Sequence, residues 1–226
     1  GETILIADSY LDTNSTYFYD PNHPQVEYAQ LIEDHRKIRY IYGTPISDND
    51  KINAHGTHVS GCAAGCSHLS SSESDAHLYN GIATGAKIAF TMNNFIDIIR
   101  NVMEKTSPSV SSNSWGERGQ TLSTDNLWNN LAREHDETLI AFAAGNFGLQ
   151  NNENLDYYET AISPSLAKNI LTVGALSSLP IENEDDFEKQ IYILSYKPLM
   201  KKWSLRSDES VQNPSVDELF TKGSVS

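Results

Sequence analysis

A chain of 226 residues is long enough to bury one sizeable core, and its 38% hydrophobic and 20% charged residues describe an ordinary globular domain. The formal net charge of −14, from 30 Asp and Glu against 16 Lys and Arg, argues against a nucleic-acid partner, because phosphate-backbone affinity rests on Lys and Arg releasing counterions. No window approaches the roughly eighteen uninterrupted apolar residues of a membrane helix, so no membrane segment is predicted within the chain, and no basic leader followed by an apolar core opens it at Gly1.

Short apolar runs recur along the chain: Ile4 to Ala7, Ile38 to Tyr42, Ile88 to Phe90, Val110 to Ser114, Leu139 to Ala144 and Ile170 to Ala175. Each has the length of a strand buried on both faces. Helix candidates fall between them, over His55 to Gly65, Asn94 to Lys105 and Thr124 to His135. In the last, Leu127, Trp128, Leu131 and Ala132 form a core-facing stripe, and Ser123 or Thr124 is a candidate cap. Strands alternating with helices predict an α/β fold, three-layered, with a mainly parallel sheet flanked by helices. The Ser-rich stretch from Cys66 to His77 is predicted as a loop. Cys62 and Cys66 are too few for a disulfide framework and are expected as small buried apolar side chains. Residues 1–176 are expected to hold the main part of one domain. Residues 177–226, with the acidic run Glu182 to Asp186 and the basic pair Lys201 and Lys202, form an irregular continuation of it.

Three places can carry chemistry. In N-A-H-G-T-H-V-S-G-C-A-A-G, Asn53 to Gly65, His55 opens an apolar helix between small residues, which mounts an imidazole at a cleft where it can take a proton from a hydroxyl. His58 completes an H-x-x-H pair, but no H-E-x-x-H or cysteine pair supplies a third zinc ligand in a suitable context. Asp8 follows the strand-like I-L-I-A, where a carboxylate can fix a histidine tautomer and stabilise the imidazolium; Asp12 and Asp20 are competing acids. Asn146, in I-A-F-A-A-G-N-F-G, can donate its amide to an oxyanion, with Gly145 and Gly148 admitting substrate close to the backbone. Asp8, Ser114 and Asn146 all stand where an apolar run ends, as active-site residues of open parallel sheets do.

The order Asp8, His55, Asn146, each in this local setting, resembles the subtilisin-like serine peptidases from Ile4 through about Ala175. Supporting segments are G-I-A-T-G-A-K-I-A-F (Gly81 to Phe90), S-S-N-S-W-G (Ser111 to Gly116) and A-K-N-I-L-T-V-G-A (Ala167 to Ala175). The resemblance implies peptide hydrolysis of a polypeptide substrate, with Asp8 orienting His55, His55 as general base and Asn146 in the oxyanion hole. Ser114, Trp115 and Gly116 would bind substrate backbone by β-augmentation. Calcium is a common ligand of that family, but no residue here is assigned to it and no metal site is predicted.

Two departures stand out. Where the family has Asp-Thr-Gly, this chain has Asp8-Ser9-Tyr10, which would be strained if the third position needed positive φ. The family's G-T-S-M-A segment, which carries the nucleophilic serine, does not occur: Met92, Met103 and Met200 are the three methionines and none follows a serine. The 226-residue chain alone is therefore expected to be inactive in peptide hydrolysis, as an incomplete catalytic domain whose remainder lies downstream. The alternative is a non-catalytic relative that binds peptide strands through Ser111 to Gly116.

Overall fold

The computed structural model describes residues 1–43, 54–70, 72, 75–117, 122–146 and 161–174. Among the described residues six strands form one sheet: β1 (Thr3–Ala7), β2 (Ile38–Tyr42), β3 (Lys87–Thr91), β4 (Val110–Asn113), β5 (Leu139–Ala143) and β6 (Leu171–Val173). Their order is β2-β3-β1-β4-β5-β6, and every pairing is parallel. Parallel neighbours need long crossovers, which here include helices α1 (His55–Ala64), α2 (Ile96–Thr106) and α3 (Leu122–Glu134).

The strand pleat sends alternate residues to opposite sides of the sheet, and two cores result. On one side Ile6, Ile38, Ile41, Ile88 and Phe90 pack with Leu11, Phe18 and Ala64 of α1. On the other, Leu5, Ala7, Tyr40, Ala89, Ile140 and Phe142 meet Ile99, Val102 and Met103 of α2 and Trp128 and Leu131 of α3. Helices thus cover both faces of the sheet, giving the expected three layers. A register shift in β2, where Ile38 and Tyr40 oppose the consecutive residues Ile88 and Ala89, puts these two residues in different cores despite their even spacing.

Leu139, Leu171 and Val173 share the α1 side of the sheet by register, yet about half of each side chain's surface is exposed. α1 packs against β1 and β3 and leaves this half of the sheet bare among the described residues.

Three expectations need correction. α3 begins at Leu122, so Ser123 and Thr124 lie in its first turn and not at the cap. Leu127 is 49% exposed: the buried stripe is Asp125, Trp128 and Leu131, and a neighbour of Trp128 stands 100° round the helix. Asp125 is tolerated there because Ser163 Oγ donates to its carboxylate at 2.5 Å. The cysteines are not core residues either. Both are free thiols, Cys62 exposed on the outer side of α1 and Cys66 partly exposed beyond its end. α1 turns Gly56, Ser60 and Ala64 inward, so position 62 faces away from the sheet. The predicted loop over Cys66 to His77 contains the start of a 3₁₀ turn, Asp75–Tyr79. Gly148 and the acidic and basic runs after residue 177 lie outside the described residues.

Candidate active site

Asp8 is the first residue after β1 and stays anchored to the sheet, its backbone N–H donating to Thr91 O at 3.0 Å. Its side chain is only 4% exposed. A buried carboxylate needs donors, and it has them: Ser9 N at 2.7 Å, Ser9 Oγ at 3.1 Å, and His55 Nδ1 at 2.8 and 2.9 Å from the two oxygens. A carboxylate accepts, so His55 Nδ1 is the donor in this contact. The imidazole is half exposed and opens α1.

Two contacts fix the distance between Asp8 and the helix that carries His55. Thr57 Oγ1 donates to Tyr10 O at 3.2 Å and accepts from Asp12 N at 2.9 Å, pinning the Asp8–Asp12 turn to the first turn of α1. Gly56 makes the close approach possible: a Cβ there would lie 2.6 Å from Tyr10 O and 3.0 Å from Asp8 Cβ. Gly56 N also donates to Ser9 Oγ at 3.3 Å, so Ser9 bridges carboxylate and helix. Thr57 and Ser9 were missed in the sequence, because nothing in their local pattern reveals a bond across 45 or more residues. Tyr10 is not strained; among the described residues only Ala29 and Ser107 are non-glycine residues with positive φ. Burial, then the nearby Asp12 and Tyr28, raise the pKa of its phenol. Asp12 makes its side-chain bond to Asn14 N at 3.0 Å, within its own turn, and Asp20 lies elsewhere; Asp8 is the acid that meets His55.

Ser114 and Asn146 come together at the carboxyl ends of β4 and β5, in a pocket of about 320 Å³ lined also by Ser112, Asn113, Ala143 and Gly174. Asp8 and His55 do not line this pocket; Asp8 follows β1, the strand next to β4. The A-A-G-N turn is tied on both sides, Ala144 N donating to Val173 O at 2.9 Å and Ala144 O accepting from Ile162 N at 3.2 Å. Gly145 has φ +105°, a conformation an L side chain rarely adopts. Trp115 packs edge-on against Phe142 at 5.0 Å and Trp128 at 5.8 Å, while Gly116 lies against Ile162 and Ser163. Ser111 and Ser112 are interior strand, paired with both β1 and β5, while Asn113 pairs with β5 alone, which leaves only residues from Asn113 onward as edge for an added strand.

Among the described residues the most strongly shifted groups are His35 and Lys37, just before β2 at the opposite end of the sheet, and Asp20, which accepts from Arg36 N beside them. His35 is buried, its pKa lowered to about 4 by that burial despite the Asp20 charge, and its Nδ1 accepts from Lys37 N and Ile38 N at 3.1 and 2.9 Å. Burial also lowers Lys37 to about 8; its ammonium donates to Thr84 O and Ala86 O at 2.9 and 2.6 Å. Burial would raise Asp20, but backbone donors Arg36 N and Asn22 N outweigh it and lower the pKa to about 2. Their place, far from the carboxyl ends of the strands, makes this a structural cluster. Among the described residues no group of three or more His, Cys, Asp or Glu could hold a metal ion, and no helix is long and apolar enough to cross a membrane.

A parallel three-layer fold with a buried carboxylate holding an imidazole at the carboxyl end of its strands is the framework of a serine-peptidase-type domain. The chain belongs to the Subtilase family, whose pattern it matches over residues 1–224. It is 31% identical over 193 residues to the serine protease/ABC transporter B family protein tagD of Dictyostelium discoideum, covering 77% of this chain and 10% of that protein. The corresponding protein tagB of the same organism is 31% identical over 200 residues, covering 77% and 9%. The chain thus spans about a tenth of the curated relatives it matches. Among solved structures, the psychrophilic subtilisin-like protease Apa1 from the Antarctic psychrotroph Pseudoalteromonas sp. AS-11 superposes with a TM-score of 0.51 at 18% identity, covering 78% of this chain and 36% of that one, a likeness of fold.

Proposed function

We propose that this chain carries the acid–base and oxyanion parts of a serine endopeptidase site, and that the 226 residues alone do not hydrolyse peptides by the serine mechanism. The observation that supports the reading most is the contact of His55 Nδ1 with both oxygens of buried Asp8. In that arrangement Asp8 holds the tautomer, His55 Nε2 takes the proton of an attacking hydroxyl, and Asp8 stabilises the imidazolium that forms. Asn146 would donate to the tetrahedral oxyanion, and Ser114, Trp115 and Gly116 would lie along the substrate backbone. The serine comes from chain outside these residues, since no G-T-S-M-A segment lies within them. In subtilisin itself, loss of the nucleophile lowers turnover by about 2 × 10⁶, about as much as loss of the whole triad.

A fluorophosphonate probe, which labels activated serines, tests both halves of the proposal. The 226-residue chain should remain unlabelled, and a longer natural chain containing G-T-S-M-A should label and cleave peptide, with both signals lost on His55→Ala. Inhibitor-sensitive cleavage by the pure 226-residue chain would refute the first half. Labelling of the longer chain that survives His55→Ala would refute the second.

A further inference from the structure

The turn that follows β1 carries a triplet that the peptidase chemistry does not use. Asn14-Ser15-Thr16 reads N-x-T, the acceptor pattern for an N-linked glycan. In the 226 residues it is the one place where an asparagine is followed two positions on by a hydroxyl residue with no proline between. Asn113-Ser114-Trp115 lacks the hydroxyl, and Asn213-Pro214-Ser215 contains the proline.

The fold puts this triplet where a large solvated group can be carried. Leu11 and Phe18, each 1% exposed, anchor the chain in the core on either side of it. Between them Asp12 closes a tight turn, its Oδ1 accepting from Asn14 N at 3.0 Å and its carbonyl from Ser15 N at 3.2 Å. Asp12 is itself held by the bond from its N–H to Thr57 Oγ1. The backbone of the turn is thus fixed, while Asn14 is exposed and its side-chain amide makes no hydrogen bond among the described residues. A substituent on that amide displaces no core side chain and breaks no bond of the fold. Thr16 is only partly exposed, its hydroxyl 3.2 Å from His68 Nδ1, so it is Asn14 that faces solvent.

We propose that Asn14 is the acceptor of an N-linked oligosaccharide. The donor is an oligosaccharide joined to a lipid through a diphosphate. Asn14 Nδ2 forms a bond to the anomeric carbon of the first sugar, the bond from that carbon to the diphosphate oxygen breaks, and the lipid diphosphate leaves. One Nδ2 proton passes to a base of the transferase, and the amide stays uncharged, so the product is a bulky, solubilising surface group. The modification sets this domain on the side of a membrane where such donors are used, in a lumen or outside the cell. None of Asp8, His55 or Asn146 takes part, so the site stands independently of the peptidase reading.

Production of the 226-residue chain behind a cleavable secretory leader in a eukaryotic host tests the site, read on cells and medium together so that retention hides nothing. The expected result is a single shift to higher mass, lost on digestion with peptide N-glycosidase. Digestion in heavy-oxygen water should leave its isotopic label at Asn14 alone. Asn14→Gln and Thr16→Ala should each abolish the shift, whereas Ser15→Ala and Thr16→Ser should keep it. Because the side chain is exposed, Asn14→Gln should retain the circular dichroism spectrum of the enzymatically deglycosylated wild type. An unshifted wild-type chain, a shift that survives Asn14→Gln or Thr16→Ala, or a label at another position would each overturn the proposal.

Discussion

Acidification should destabilise this domain through His35. The ring is 1% exposed, and its Nδ1 already accepts two backbone N–H groups, from Lys37 and Ile38. A second ring proton would have to sit on that Nδ1, so charging the ring both desolvates a cation and sets two donors against a third. The unfolded chain binds this proton near the ordinary value of 6.5, the folded chain only at about 4. Because the unfolded state binds more protons between those values, stability is fully present above pH 6.5 and falls as pH drops toward 4. At about 1.4 kcal/mol per pH unit for one proton, the loss is about 3 kcal/mol, a large fraction of the roughly 5–15 kcal/mol that holds a domain together. Asp20 adds its own loss lower down, as pH falls from 3.8 through about 2, so the two windows adjoin without overlapping. Urea denaturation of wild type and His35→Gln at half-unit intervals from about pH 4 to about pH 7 measures the difference. The variant, less stable at neutral pH, should show a shallower fall across the window. Equal slopes for the two proteins would refute the assignment of the acid sensitivity to His35.

Gly56→Ala should cost about 1–3 kcal/mol, because the new methyl meets the fixed carbonyl of Tyr10, and thermal melting reads the loss. The same change should push α1 from β1 and remove the downfield Nδ1 proton resonance of His55 that its bond to Asp8 produces. Asp8→Asn should remove that resonance with the fold intact, since the amide can still occupy the turn. Trp128→Ala should cost about 3–5 kcal/mol in equilibrium denaturation, as it empties the centre of the edge-on cluster with Trp115 and Phe142. Hydrophobic dye should bind the native chain at the bare Leu139, Leu171 and Val173 surface, and Leu171→Lys should reduce that binding.

The amino-acid sequence alone determined the fold class, a mainly parallel sheet with helices on its faces, while the strand order came from the structure. Buried parallel strands are uninterrupted apolar runs, and helices carry a 3.6-residue period, so I-L-I-A, I-A-F and L-I-A-F-A could be recognised without any contact map. It also placed Asp8 and His55 in roles that require them to meet, because local setting and chain order were enough. Tertiary structure decided what depends on atoms far apart in the chain. How closely Asp8 approaches His55 follows from its place at the end of β1 and from the space that Gly56 leaves. That Ser9 and Thr57 brace the pair follows from hydrogen bonds across 45 or more residues. The exposure of Cys62 and Leu127 had no local signature, because which side of a helix is buried is set by where it docks. The shifted pKa values of His35, Lys37 and Asp20 arose the same way: burial and backbone donors are properties of the packed chain, and no composition or spacing announces them.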